Sequence, residues 1–336
     1  MKRYFLLALL AFVLVACKDD KTQSETKAPQ NTKIQGGVFG TNYSVLYNSE
    51  KTLNLQPKFD SIFEVINTSM STYIPNSIIS KFNRNESVVL DDHFINVFDA
   101  SKKINKETNG IFDPTIGIMV NAWDFGPEGK IENLDSLKIK TLMQSVGLDK
   151  VTRFENRLTK TDPNTYLDFN AIAKGYAVDV IANYLEQQGI DNYLVDIGGE
   201  IRAKGISVEK QKPWRVGVEK PNFDGTQSIL KAIDFTDAAM ATSGTYRKYK
   251  TDAQGNRYAH IINPKTGYPS KTNLLSISVI ADDCMTADAY ATAFKAMGIE
   301  KVKEFLKTHP ELKVFLIFEN DNNELETLTL NGFPEH

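Results

Sequence analysis

The sequence predicts an α+β fold. Apolar stripes at helical spacing and short β-branched runs are interspersed along the chain without strict alternation, which disfavours a doubly wound sheet. A Gly-Gly turn between two apolar runs and a strand pair at the carboxyl end add hairpins to that pattern. The 336 residues, 41% apolar, suffice for a sizeable core in one large domain or two small ones. A net charge of −3 gives no basis for nucleic-acid binding.

The amino end, "MKRYFLLALLAFVLVACKDD", has a basic start at Lys2 and Arg3 and a short apolar run from Tyr4 to Val15. It is too short for a comfortable membrane span and reads as a secretion signal over residues 1–16. "LVAC" resembles the lipobox of bacterial lipoproteins. By that resemblance Cys17 is acylated and becomes the first mature residue, and the protein is an exported, membrane-anchored lipoprotein. Its expected place is the periplasmic side of the inner membrane, with outer membrane and cell surface as alternatives. An ordinary signal with an incidental cysteine is the other reading. Residues 17–35 are polar and aperiodic and are expected to be a flexible tether ahead of a domain over 36–332. Cys284, the one other cysteine, reads as a small buried hydrophobe rather than a nucleophile.

Along the domain, 43–48 predicts a strand, and Phe59, Ile62, Phe63 and Ile66 predict a helix over 54–69. Residues 70–83 read as a loop around Pro75. A helix is expected over 91–109, capped by Asp91 or Asp92 and ended by Gly110. Residues 110–126 are aperiodic yet rich in large apolar side chains, which marks a functional irregular stretch rather than disorder. Residues 167–189 hold an amphipathic helix with Asn170 as expected N-cap and Gly189 at C′. Strands are expected around Gly198-Gly199 and in "WRVGVEKP", "SILKAIDF" and "LLSISVI". A last helix runs from about Met285 to Gly298, followed by a terminal hairpin.

Four pieces carry chemistry. Asp288 and Thr292 are four apart on one helix face and offer hard oxygen ligands suited to Mg²⁺; alternatively they are a helix charge and a space filler. The start of the 167–189 helix has free N–H groups that favour a phosphate, with Lys174 as a nearby cation and Asp168 as an acceptor; both are otherwise ordinary polar residues. His260, before an Asn-Pro…Gly turn, is a candidate proton acceptor or a structural ring. "MATSGTYRKY" (240–249) is either a phosphate loop or a strand end with a solvated Arg247-Lys248. No G-x-x-x-x-G-K-[ST], H-E-x-x-H, C-x-x-C, G-x-S-x-G or G-x-G-x-x-G pattern occurs, so common NTPase, zinc-protease, thiol-redox, esterase and Rossmann readings lose support.

Taken in order, F-G-T-x-Y, M-S-T-Y…S-x-I-S-x-F-N, F-D-P-T-I-G…W-x-F-G, L-D-x-x-x-I-A-K-G-Y-A-x-D, V-D-I-G-G-E-I-R-x-x-G, A-T-S-G, H-I-I-N-P-x-T-G-Y-P and T-A-D-A-x-A-T-A resemble the ApbE family over about residues 36–300. That resemblance implies a mixed domain of mainly antiparallel sheets with flanking helices and an FAD cleft between sub-regions. It implies an FAD:protein FMN transferase that uses FAD and Mg²⁺, moves FMN onto a Thr or Ser hydroxyl of an acceptor flavoprotein, and releases AMP. By motif, Asp288, Thr292 and the Ala171 carbonyl hold the metal. Phe39, Tyr73, Phe112, Asp113, Asp168, Lys174 and Ile262 line the FAD site. His260 matches the candidate base, with Asp288 also counted as catalytic. The chain departs from the family pattern at Phe39 (Met is usual), Ile78 (Glu), Asn263 (Asp) and Asn170-Ala171 (glycines). Hydrolysis of FAD to FMN and AMP, and flavin binding without turnover, are the competing functions.

Overall fold

A computed structural model describes residues 30–246, 249–251 and 257–335. Cys17, the signal stretch, most of the tether and the Arg247-Lys248 pair lie outside the described residues. The first described elements are β1 (Thr32–Val38) and β2 (Thr41–Tyr47), so residues 32–35 of the segment read as tether are strand. Helix α1 (Gln56–Met70) follows, then the short α2 (Ile78–Asn83), α3 (Asp92–Glu107), α4 (Gly117–Ala122) and α5 (Ser136–Met143). A small hairpin, β3 (Val151–Phe154) and β4 (Arg157–Lys160), leads to α6 (Ala173–Gln187). Next come β5 (Tyr193–Ile197), β6 (Glu200–Lys204), β7 (Ile206–Ser207), β8 (Lys212–Glu219), β9 (Ile229–Phe235) and β10 (Ala238–Gly244). The chain closes with β11 (Tyr249–Thr251), β12 (Arg257–Ala259), β13 (Leu274–Ala281), α7 (Cys284–Met297), α8 (Ile299–Leu306), β14 (Lys313–Glu319) and β15 (Leu325–Leu330).

Eight strands form the main sheet in the order β1-β2-β5-β6-β10-β13-β14-β15, with every neighbouring pair antiparallel. Period-two alternation gives the sheet two apolar faces. Tyr43, Val45, Tyr193, Val195, Ile277 and Val279 join the helices α1, α3, α6 and α7 in the principal core. Leu46, Leu194, Ile201, Met240, Ile280 and Phe315 pack on the other side against Trp214, Val216, Ile233 and Phe235 of the three-stranded β7-β8-β9 sheet. The result is three layers: helices, large sheet, small sheet. This is the mixed, mainly antiparallel α+β architecture expected from the sequence.

Several local expectations are corrected. Residues 70–83 are not wholly loop: Ser77 accepts a bond from the Ser80 N–H and starts α2. The aperiodic 110–126 stretch encloses α4. Asn170 does not cap α6; the cap position is Ile172, with no side-chain cap bond. The last helix is α8, which restarts at Gly298. Asp91 caps α3 as expected, accepting from the Phe94 N–H at 2.8 Å. Residues 240–244 are strand, which favours the strand-end reading of that segment. Cys284 is fully buried, and burial drives its thiol pKa upward, as suits an inert core residue.

Candidate active site

Two tight hairpins sit side by side at one end of the main sheet. Phe39 and Gly40 join β1 to β2, both at positive φ, and Gly198 and Gly199 join β5 to β6 in the same way. Two-residue loops with this backbone match the strand twist. The turns touch: the Gly198 N–H donates to the Asn42 carbonyl at 3.0 Å, and a Cβ on Gly198 would lie 2.8 Å from Thr41. A phenylalanine at φ +50 is an uncommon conformer. It holds the Phe39 ring edge-on to Phe63 at 5.6 Å, beside the cleft.

The amino ends of α6 and α7 come together at the same end of the sheet. A Cβ on Gly175 would stand 2.3 Å from the Cys284 carbonyl oxygen and 2.8 Å from the Asp288 Cβ, so only glycine permits this approach. The two helices cap one another. The Gly175 N–H, an orphan donor of the first turn of α6, gives its hydrogen bond to Asp288 Oδ2 at 3.0 Å. In return, Asp179 of α6 accepts from the Cys284 and Met285 N–H groups that open α7, at 3.0 and 2.8 Å. Arg202 of β6 fixes Asp179 from the sheet side at 3.0 Å. Burial lifts the Asp179 carboxyl to about 6 against those bonds.

Lys174, beside Gly175, reaches Glu200 at the mouth of β6, with Nζ and Oε1 2.5 Å apart. Burial opposes the lysine charge, but Glu200 and Asp288 outweigh it and hold its pKa above the usual value. Burial raises the carboxyls of Glu200 and Asp288, with Lys174 opposing in both cases. Asp288 is 6% exposed and Glu200 3%. Glu200 thus pairs directly with the Lys174 ammonium, Asp288 feels that charge at longer range, and Glu200 Oε2 has no hydrogen-bond partner.

The remaining residues form the rim. Asp168 accepts from the Asn170 N–H at 2.7 Å and turns the chain into Ala171 ahead of α6. Asn83 holds the preceding residue through a reciprocal pair of bonds with the Leu167 N–H and carbonyl, at 2.8 and 2.9 Å. Asp113 accepts from the Thr115 N–H and hydroxyl at 2.9 and 2.6 Å, and burial raises its pKa. The segment after β12 carries His260 and Ile262. Ile262 bridges to Pro269, and Trp123 donates to the Gly267 carbonyl at 2.8 Å, which ties this turn to α4. The His260 ring stands 6.2 Å from that of Phe125, whose carbonyl accepts from the Tyr73 hydroxyl at 3.4 Å.

All eleven expected site residues within the described chain line one cleft of about 1740 Å³: Phe39, Tyr73, Phe112, Asp113, Asp168, Ala171, Lys174, His260, Ile262, Asp288 and Thr292. They come from segments spread over some 250 residues of sequence, and the fold brings all of them to one concavity. Glu200, Gly175 and Asp179 were quoted within motifs but given no role. Their parts arise from contacts between distant segments, and only the Gly198-Gly199 turn before Glu200 signalled one of them locally. Among the described residues no group of three or more His, Cys, Asp or Glu side chains is arranged to hold a metal ion. Mg²⁺ is commonly held by one or two carboxylates together with substrate phosphates, and Asp288 and Thr292, both lining the cleft, are hard oxygen donors of a kind that fits such an ion.

The family model described as the ApbE family matches residues 39–316. The chain belongs to the ApbE family. Among curated relatives, the FAD:protein FMN transferase of Haemophilus influenzae is 38% identical over 330 residues, covering 93% of this chain and 91% of the relative. The FAD:protein FMN transferase of Vibrio cholerae is 35% identical, covering 95% of each. Among solved structures, the flavin transferase ApbE of Vibrio cholerae superposes with a TM-score of 0.81 at 34% identity, covering 90% of this chain and 97% of that one. The apo flavinyl transferase ApbE of Pseudomonas stutzeri gives 0.80 at 27% identity, covering 90% and 95%. The ApbE fold in this chain therefore extends over essentially all of the three-layer domain described above.

Proposed function

We propose that this chain is an FAD:protein FMN transferase that carries FMN from FAD to a Thr or Ser hydroxyl of an acceptor protein and releases AMP. The observation that carries the reading is the meeting of Asp288 with the amino end of α6, inside the cleft that also holds Lys174 and His260. Attack on a diphosphate needs alignment and charge neutralisation more than covalent work by the protein. The positive end of α6 and the Lys174 ammonium favour the diphosphate oxygens. Asp288, Thr292 and the Ala171 carbonyl are the residues suited to hold Mg²⁺, which when bound neutralises the charge that grows on the AMP leaving group. His260 takes the proton from the acceptor hydroxyl. The hydroxyl oxygen bonds to the phosphorus on the FMN side, the bond to the bridging oxygen breaks, and that oxygen leaves with AMP. Phe39, Tyr73, Phe112 and Ile262 supply flat and apolar surface for the flavin, while Asp113 and Asp168 offer acceptors for its polar groups.

The size of the cleft suits a ligand as large as a dinucleotide. A volume near 1740 Å³ exceeds the ~300–1,000 Å³ usual for a single small ligand. Arg215, Val216, Gly217 and Glu219 of β8 lie along it, and beyond the short β7 contact that strand is paired only with β9 among the described residues. We further place the protein outside the cytoplasm as a lipoprotein anchored through Cys17, most simply on the periplasmic side of the inner membrane. "LVAC" and the basic, then apolar leader support this. Among the described residues no helix is long and apolar enough to cross a membrane.

The test is mass spectrometry of a coexpressed candidate acceptor. The transferase reading expects an FMN adduct on Thr or Ser and equimolar AMP, both abolished by EDTA. Release of FMN and AMP with no adduct on any acceptor supports the hydrolase instead.

A further inference from the structure

Glu200 carries chemistry that its place in the motif does not explain. It opens β6 directly after the Gly198-Gly199 turn, is 3% exposed, and points one oxygen at Lys174 at 2.5 Å. Its other oxygen, Oε2, is buried with no partner, although it lines the same cleft as Asp288 and Thr292. A buried carboxylate oxygen left unpaired is costly and calls for a donor. The side chains around it supply one ammonium, already engaged by Oε1. A water molecule in the shell of a cation held at Asp288 is a donor of the right kind, because bound divalent ions polarise their waters and Mg²⁺ retains several of them.

We propose that Glu200 is a positioning residue of the transfer site, clamping Lys174 with one carboxylate oxygen and accepting a hydrogen bond from a cation-bound water with the other. The inference rests on the proposed transferase reading and on the cation site within it. Outer-shell carboxylates of this kind orient the inner ligands, and their loss commonly costs 10–100-fold in metal affinity. In this role Glu200 acts through Lys174 and the cation rather than on the reacting atoms.

The experiment is calorimetric titration of the purified protein with Mg²⁺, and with Mn²⁺ followed by electron paramagnetic resonance, with ADP present to supply diphosphate oxygens and no flavin to turn over. Glu200→Gln keeps the shape and removes the charge, and Glu200→Asp keeps the charge but withdraws it by one methylene. The expected result is a roughly 10–100-fold weaker Kd for both ions in Glu200→Gln, partial recovery in Glu200→Asp, and an altered Mn²⁺ spectrum in both. Thermal unfolding establishes that each variant is folded before titration. Parental affinity and an unchanged spectrum in folded Glu200→Gln overturn the inference while leaving the transferase reading intact. A parental protein that binds neither ion overturns the cation site and this inference together, whereas FMN transfer itself is scored independently by the adduct.

Discussion

Replacing Asp288 by Asn separates the chemical role of this residue from its structural one. Asp288 does two things at once. Its Oδ2 accepts the Gly175 N–H at 3.0 Å, and its charge is proposed to hold the cation. Asn keeps an acceptor oxygen at nearly the same place and removes the charge. The helix contact therefore survives, and a buried carboxyl whose pKa is already raised by burial no longer has to ionise. Stability at neutral pH should be unchanged or slightly higher, as when a buried charge is replaced by a neutral isostere. Activity should fall steeply. Loss of one preorganised electrostatic contact in a dry site costs about 3 kcal/mol of barrier, or about a hundredfold in rate. Asp288→Ala adds a second defect, because the Gly175 N–H is then buried without a partner at a cost of about 1–3 kcal/mol in stability. The assay is AMP release and FMN adduct formation at saturating FAD and Mg²⁺, with chemical denaturation of the same samples. Two poorly active variants, of which only Ala is destabilised, fit the reasoning. Parental turnover by folded Asp288→Asn refutes it.

Three further outcomes follow from the same geometry. Gly175→Ala places a methyl 2.3 Å from the Cys284 carbonyl oxygen and should force α6 from α7, lowering stability by about 1–3 kcal/mol and weakening FAD binding together, as read by thermal melts and flavin fluorescence titration. Tyr73 is 55% exposed, so Tyr73→Ala should leave stability within about 0.5 kcal/mol. The same change should weaken FAD binding by roughly tenfold through lost ring stacking. The folded pKa of Asp179, about 6, lies above the ordinary 3.8, so its contribution to stability is fully present below pH 3.8 and is lost as pH rises through 6. The stability of the parent relative to Asp179→Asn should therefore drop by roughly 2 kcal/mol between pH 4 and pH 7. A pH-independent difference in urea titrations would contradict the assignment.

The legible parts of the fold were those with strong periodicity. Helix α3 with its Asp91 cap, the helix expected from about Met285 to Gly298, and the Gly-Gly hairpin all stand where the sequence put them. Elements of six residues were too short to display a period, so α2 and α4 read as loop. The first half of β1 (32–35) falls in the expected tether because "TKIQGGV" is a polar edge strand whose pairing partner, β2, supplies most of the apolar surface. The misplaced N-cap of α6 has a tertiary cause: Asn170 is a good local cap, but the first-turn donor at Gly175 is satisfied from another helix by Asp288. The site residues were legible as motif letters, whereas the reciprocal capping of α6 and α7 and the Lys174–Glu200 pair depend on segments that meet only in the folded chain.

The most direct measurement is anomalous diffraction from crystals of the protein soaked with Mn²⁺ and FAD. The proposed site requires a manganese peak bonded to Asp288 and Thr292 at the amino end of α6, with the FAD diphosphate against it. A peak elsewhere, or FAD bound with its diphosphate away from Asp288 and Lys174, would show that the meeting of these two helices is a packing device and not the seat of the chemistry.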